Sequence, residues 1–557
     1  MHATRLFRSP VSVSRRVVGG VLLALSLLAA DASLAAGDGP SLREALQERV
    51  ALLREGRLAV GGQPILSRNV LPALYEGGGF EPCWTDRERL RALVAAIDGI
   101  AADGLDPADY HAAELHRRLE TRGAATAADS ADLDLLASDA LVLAIYHLRA
   151  GKVDPKTIIP EWNFNPRPQT DEAVAASVRR ALSTGRVAEE FDAARPDHWM
   201  YGRGRELLAA YRAMAASGGW PSVPAGPSLK PGATDARVPA LRARLAAEGD
   251  YRGPASEATV YDEPLVAAAK SFQERHLLEP DGVIGPAALK ELNVSAERRV
   301  SQIRVNLERA RWVLHEIGNE DHVLVDIAGY GVRYMHDRKP VWQSRAIVGQ
   351  PFRQTPAFRA EIQFVVFNPT WTVPPTILAN DILPQMRAGK NVLAKKHLKV
   401  IDNQGRVIDP ASLHWANYTG RNFPYQLRQD PGDDNALGRV KIMFPNPHLV
   451  YLHDTPSKSL FDKDLRHFSS GCIRVEKPRE LAEIVLADPD NWNKATIDAT
   501  IDKGETRTVN LKKRIPVLLI YWTVDQDAAG RAMFKPDVYG QDAVLKAALD
   551  KRAPVAR

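Results

Sequence analysis

Through residues 41–217 the apolar positions fall at helical spacing. The stretches 42–54, 86–103, 133–150 and 203–216 each mix alanine, leucine and charge with a period near 3.6. Proline and glycine punctuate them, as at Gly104-Leu105-Asp106-Pro107 and Ile159-Pro160, so this part reads as an α-helical domain. The run Gly218-Gly219-Trp220-Pro221, continuing through two further prolines to Ser228, has the composition of a linker. Beyond it the pattern predicts three short helices at 238–247, 265–276 and 287–292. The second carries Leu265, Ala269, Phe272 and His276 on one stripe, and Asp281-Gly282 turns the chain before Pro286 opens the third. Val300, Ile303, Leu307, Ala310, Leu314 and Ile317 then mark one longer amphipathic helix. From His322 the period shortens to that of strands, with β-rich runs at 322–327, 346–348, 362–367, 398–401, 448–452 and 517–522. A turn at 528–530 leads the last of these back into 532–534. Between Trp371 and Gly432 lies a polar and aromatic insertion with its own helical and strand-like pieces, which reads as a folded flap.

A chain of 557 residues exceeds one ordinary core and divides into three or four domains. Its 45% hydrophobic and 25% charged composition is that of globular protein, and no interior window approaches the eighteen apolar residues of a membrane span. The N-terminus departs from this. Arg5, Arg8, Arg15 and Arg16 precede an apolar run over 17–30 and then Ser33-Leu34-Ala35, the pattern of a secretory signal cleaved after Ala35. Losing that segment takes the formal net charge from +5 to +2, and no basic tract with interleaved aromatics points to nucleic acid. An uncleaved anchor and a twin-arginine route are the alternatives at this end, and contact with the membrane is at most peripheral.

An exported chain with two cysteines raises the question of a disulfide. Cys83 and Cys472 stand 389 positions apart, in separate domains by the pattern above. Cys83 is read as a small buried hydrophobe and Cys472 as a free thiol. Cys472 lies in Ser469-Ser470-Gly471-Cys472-Ile473-Arg474, nineteen positions after His453 in Tyr451-Leu452-His453-Asp454-Thr455-Pro456. A thiolate is the nucleophilic form of cysteine, and an imidazole is the usual means of making one at neutral pH. Gly471 frees the backbone so that amides around Cys472, with Ser469 and Ser470 in support, can face a developing oxyanion. Arg474 either orients this loop or holds a carboxylate. Tyr451 lies two residues from His453 and so on the same strand face, and Trp371 is placed to wall the cleft. His453, Asp454, His467 and Cys472 lack a compact ligand pair, so no metal and no cofactor are expected. The order and spacing of His453, Cys472 and Arg474 also argue against a sortase-like site and against a Cys-His wall hydrolase.

Two resemblances follow from these residues. Phe272-Gln273, Asp281-Gly282-Val283-Ile284-Gly285-Pro286 and Leu292-Asn293 resemble the three-helix peptidoglycan-binding domain of cell-wall enzymes. His453 with the Ser-x-Gly-Cys-x-Arg element at 469–474 resembles the L,D-transpeptidase catalytic domain, the YkuD fold. Val348-Gly349-Gln350-Pro351, the stretch from Asn368 to Pro374, Asn435-Ala436-Leu437-Gly438 and Phe444-Pro445-Asn446 look like its large multidomain members. The resemblance implies a multidomain α+β chain: signal peptide 1–35, α-helical scaffold 36–217, linker 218–230, peptidoglycan-binding domain 231–294, connecting helix 295–320, mainly-β catalytic domain 321–525 with its flap at about 371–432, and a C-terminal hairpin and helix over 526–557. It also implies a periplasmic transpeptidase with Cys472 as nucleophile and His453 as general acid and base. Its substrates would be peptidoglycan stem peptides and glycan, and wall synthases or carboxypeptidases are possible partners. An L,D-carboxypeptidase, an enzyme attaching protein to peptidoglycan and a catalytically dead wall-binding scaffold remain as alternatives.

Overall fold

The computed structural model describes residues 40–552, apart from 122–124, 166, 168, 169 and 319. The signal peptide expected over 1–35 lies outside them. Around a central helix, Ala127–Ala150, the scaffold helices pack. Thr126 and Asp129 cap that helix reciprocally, so it begins six residues before the apolar pattern does. Two carboxylates lie buried along it. Asp134 accepts from the Trp84 amide at 2.8 Å and the Tyr75 hydroxyl at 2.6 Å. Asp139 accepts from the Ser67 amide at 2.7 Å and pairs with His111 at 2.7 Å. Buried carboxylates with this many donors tie loops to the helix without being left unsatisfied.

The three-helix unit consists of Val238–Ala247, Glu263–Arg275 and Pro286–Leu292. Its motif residues hold one another. The buried Gln273 amide donates to Asp281 at 2.9 Å and to the Val283 carbonyl at 3.1 Å, and accepts from the Gly282 amide at 2.8 Å. Gly282 has φ +77°, and a Cβ there would come within 2.8 Å of Val266, so glycine is required. Val223 and Leu229, within the linker stretch, are buried in this unit's core, and Asn293 clasps the Val223 backbone at 2.8 and 2.9 Å.

The connecting helix, Ala296–Val313, runs between the scaffold and the C-terminal domain. It buries Glu308, which accepts from the Val153 amide at 2.7 Å, and Arg311, which donates to the Asp103 carbonyl at 2.9 Å and Tyr201 at 2.8 Å. The C-terminal hairpin, Val524–Gln526 with Ala532–Phe534, and the helix Gln541–Leu549 return to the scaffold core through Phe534, Leu545 and Leu549.

The C-terminal domain is built on a nine-stranded sheet. Its strands in chain order are β1 His322–Asp326, β2 Gly331–His336, β3 Lys339–Gly349, β4 Phe358–Phe367, β5 Val440–Met443, β6 Leu452–His453, β7 His467–Ser469, β8 Ile473–Val475 and β9 Arg507–Ile520. They lie in the order β7-β3-β8-β6-β5-β4-β9-β1-β2. The strand expected over 448–452 is reduced to β6, because Leu449 takes φ +56° and breaks the extended run. β6 pairs parallel with β8, matching His453 to Arg474, and antiparallel with β5, matching His453 to Lys441. Directly paired residues share a face, so Lys441, His453 and Arg474 form one row across three strands. The insertion at 371–432 folds as expected. It has a four-stranded sheet and an apolar core of its own that includes Trp371, Val400 and Leu427.

Candidate active site

Cys472 occupies the turn between β7 and β8, and its neighbours fix that turn. The Ser469 hydroxyl donates to the Cys472 carbonyl at 2.6 Å and accepts from the Gly471 amide at 3.1 Å. Gly471 has φ +113°, a conformation closed to side-chain-bearing residues without strain. Its carbonyl accepts from the Thr355 hydroxyl at 2.8 Å, and Thr355 is itself held by the Tyr539 hydroxyl at 3.1 Å. Because the peptide is trans and planar, anchoring the Gly471 carbonyl points the Cys472 N–H to the opposite side of the turn. That N–H has no hydrogen-bond partner among the described residues, whereas the Gly471 amide is already engaged. Ser470 accepts from Arg353 at 3.1 Å, so neither serine reaches His453.

His453 is buried. Its Nδ1 lies 2.5 Å from the Asp454 carbonyl, which can only accept, so the proton sits on Nδ1 and Nε2 keeps a free lone pair. The Asp454 side chain serves the fold instead, accepting from the Thr455 and Arg439 amides at 2.8 and 2.9 Å and pairing with Lys458. Burial, together with the flanking charges of Arg474 and Lys441, pushes the His453 imidazole down to about 3. Burial raises the Cys472 thiol. The Tyr451 amide and hydroxyl and the charges of Lys441 and Arg474 oppose that rise. Both shifts favour the neutral forms, a thiol beside an imidazole able to take its proton. The thiol donates to the Leu449 carbonyl at 3.7 Å and makes no hydrogen bond to His453.

Cys472, His453, Tyr451, Arg474, Ser469, Ser470 and Trp371 all line one cleft of about 290 Å³, and Gly471 lies buried behind it. Tyr451 precedes β6 and is not part of a strand, yet its ring stands 5.6 Å from that of His453, edge to face. Both cysteines are free. Arg474 has no ion-pair partner among the described residues, and its buried Nε has no acceptor.

Several residues here are absent from the sequence reading. The Lys441 ammonium lies 4.1 Å from the centroid of the Tyr451 ring, a cation–π contact beside the sulfur. Arg353 joins the catalytic turn to the flap, since it forms a paired salt bridge with Asp381 as well as its bond to Ser470. A lone lysine on an alternating strand reads as a solvent-facing residue, and an arginine in a polar turn carries no mark, so neither gave a signal. No group of three or more histidine, cysteine, aspartate or glutamate side chains suited to a metal occurs among the described residues.

Residues 320–509 match the family model described as "L,D-transpeptidase catalytic domain", residues 69–208 that of "Scaffold domain", and residues 234–292 that of "Putative peptidoglycan binding domain". A protein of Haemophilus influenzae described as "Putative L,D-transpeptidase" is 36% identical over 249 residues, which is 44% of this chain and 50% of that protein. The match thus spans about half the length of that relative. A crystal structure of an L,D-transpeptidase (residues 123–326) from Xylanimonas cellulosilytica covers 53% of this chain and 99% of its own, at 14% identity and a TM-score of 0.17.

Proposed function

For a chain that carries an L,D-transpeptidase catalytic domain, with scaffold and peptidoglycan-binding domains before it, we propose the cross-linking of peptidoglycan stem peptides through an acyl-enzyme on Cys472. The sulfur attacks the carbonyl of the amide joining diaminopimelate to the terminal D-alanine of a tetrapeptide stem. The C–N bond breaks, D-alanine leaves, and a thioester remains. An amine of a second stem then attacks that carbonyl, the C–S bond breaks, and the two diaminopimelates are joined. His453 takes the thiol proton through Nε2, returns it to the leaving amine, and repeats the exchange with the acceptor. The free Cys472 amide and the Tyr451 hydroxyl stabilise the oxyanion, a contribution typically of about 3 kcal/mol per donor.

The observation that carries this reading is the cleft itself. The half-buried thiol, the imidazole with its free Nε2 and an unpaired arginine all line it. Flap residues Trp371, Pro374, Pro375 and Ile377 line the cleft, and the flap serves transfer over hydrolysis, because a thioester left open to water would release a tripeptide. The N-terminal pattern over 1–35 supports action in the periplasm of a bacterium with diaminopimelate in its wall.

Incubation of the protein with disaccharide-tetrapeptide, with products separated by chromatography and mass spectrometry, tests the reading. Cross-linked dimer with one D-alanine released per link is expected. Tripeptide without dimer would instead identify an L,D-carboxypeptidase, and intact substrate beside bound peptidoglycan a wall-binding scaffold.

A further inference from the structure

The scaffold holds a larger cleft than the catalytic one, about 820 Å³. It opens where the C-terminal end of the central helix, the loop 151–165 and the connecting helix meet. Part of its wall is aromatic. Tyr146, Trp162, Phe164 and Trp312 line it, with the Trp162 ring 4.5 Å from that of Phe164 and 5.6 Å from that of Trp312. Asn69 and Asn165 are exposed in the same lining, and neither side-chain amide makes a hydrogen bond among the described residues. Two buried groups there are also unpartnered: the Ser67 hydroxyl, and the Nε2 of His147, whose Nδ1 meets the Tyr110 hydroxyl at 2.9 Å. Buried polar groups are normally satisfied, so such a set suits a polar ligand. Lys152 and Arg311 in the lining are paired with Asp109 and Glu308. Arg68, Lys156 and Arg167 have no ion-pair partner among the described residues, and they outnumber Asp154 and Asp171.

We propose that this cleft binds the glycan strand of peptidoglycan, a chain of N-acetylated amino sugars, separately from the three-helix unit. The apolar face of a sugar ring packs on aromatic rings, while its hydroxyl and N-acetyl groups exchange hydrogen bonds with amides and imidazole. The unpaired cations draw the carboxylates of stems attached to the strand. Diaminopimelate and D-alanine present no flat apolar face to such a wall, which disfavours the stem peptide as occupant. The volume lies toward the upper end for a small-molecule site, which suits sugars in sequence rather than one alone. The cleft is also tied to the catalytic domain. Asn163, in the same loop, donates to the Arg359 carbonyl at 2.9 Å and accepts from the Arg359 amide at 2.7 Å. Arg359 lies on β4, shortly after Thr355, whose hydroxyl anchors Gly471 beside Cys472. A strand seated here is therefore held in a fixed relation to the catalytic turn, and its binding needs no acyl transfer.

The test uses the full chain and chitotetraose, a peptide-free tetramer of N-acetylglucosamine, with calorimetry for affinity and hydrogen exchange for location. Slowed exchange is expected over 142–165, apart from any effect over 265–293 in the three-helix unit. The double variant Asn69→Ala/Asn165→Ala, at exposed positions, should raise the Kd of this site about tenfold. It should abolish the slowing over 142–165 while soluble tetrapeptide acylates Cys472 at the wild-type rate. Trp162→Leu keeps an apolar side chain but removes the stacking ring, and should weaken binding likewise. If Trp162→Leu lowers the melting temperature, the double variant carries the comparison. Unaltered wild-type exchange over 142–165, or an unchanged Kd in the double variant, overturns the proposal. Slowing there by free tetrapeptide and not by chitotetraose overturns it in favour of a peptide site. Absence of an acyl adduct on Cys472 beside intact sugar binding overturns the acyl-transfer reading alone.

Discussion

At the scale of single residues, the site is a neutral acid–base pair held between two cations. Lys441, His453 and Arg474 share one row of the sheet, and both cations face the imidazole and the sulfur. With His453 held down to about 3, its lone pair is available throughout the range in which a free histidine titrates. Acylation should therefore show no inflection near pH 6.5 and should hold steady from about pH 5 to 8, as measured by pre-steady-state mass spectrometry. A titration near 6.5 would mean an imidazole open to water. Lys441→Gln removes one of the charges that favour the thiolate, so iodoacetamide should label Cys472 about fivefold more slowly at pH 8, with the melting temperature unchanged. Cys472 and His453 were legible in the sequence because their chemistry is confined to one short stretch. Lys441 was not, since it reaches the site only through strand pairing across β5 and β6.

At the scale of elements, the flap and the catalytic turn are joined at one point. Asp381 lies in a π-helical turn, Leu378–Ile382, and pairs with Arg353, which also holds Ser470. Wide helical turns of this kind mark places where a helix bends for function. Asp381→Asn breaks the latch at a half-exposed position, so its effect on stability should be no more than about 1 kcal/mol. Its effect on partitioning should be larger: the ratio of hydrolysed tripeptide to cross-link is expected to rise several-fold as water reaches the thioester. An unchanged ratio would show that the latch plays no part in excluding water. The flap was legible as a folded insertion because its proline, aromatic and strand segments alternate within sixty residues. The strand over 448–452 was misread because nothing in the apolar run His448-Leu449-Val450-Tyr451-Leu452 announces a left-handed residue at Leu449.

At the scale of the whole molecule, the domains are packed through buried charge. The connecting helix buries Arg299, Glu308, Arg309 and Arg311, each answered across a domain boundary or within the helix. A sequence pattern assigns such residues to the solvent, so the three-domain layout was readable and its packing was not. Among the described residues burial pushes down seven histidines, His315, His322 and His467 among them. His147 and His453 are pushed down to about 3, His198 to about 4, and His276 well below its usual value. The unfolded chain takes up protons at these positions below about pH 6.5 and the folded chain does not, so stability is lost as pH falls from 6.5. Carboxylates held low, such as Glu114 and Glu248 at about 2, add their own loss only below about pH 4.5. Thermal melts should therefore fall steadily between pH 7 and 5, before the carboxylates held low begin to titrate; a flat profile over that interval would contradict the buried, neutral assignment.

The central claim is a covalent acyl intermediate on one sulfur, and intact-protein mass spectrometry during turnover of disaccharide-tetrapeptide tests it most directly. The account predicts a mass increase equal to the donor minus one D-alanine, located by digestion to Cys472 and absent in Cys472→Ala. Turnover with no such adduct, or the same adduct in Cys472→Ala, would contradict it.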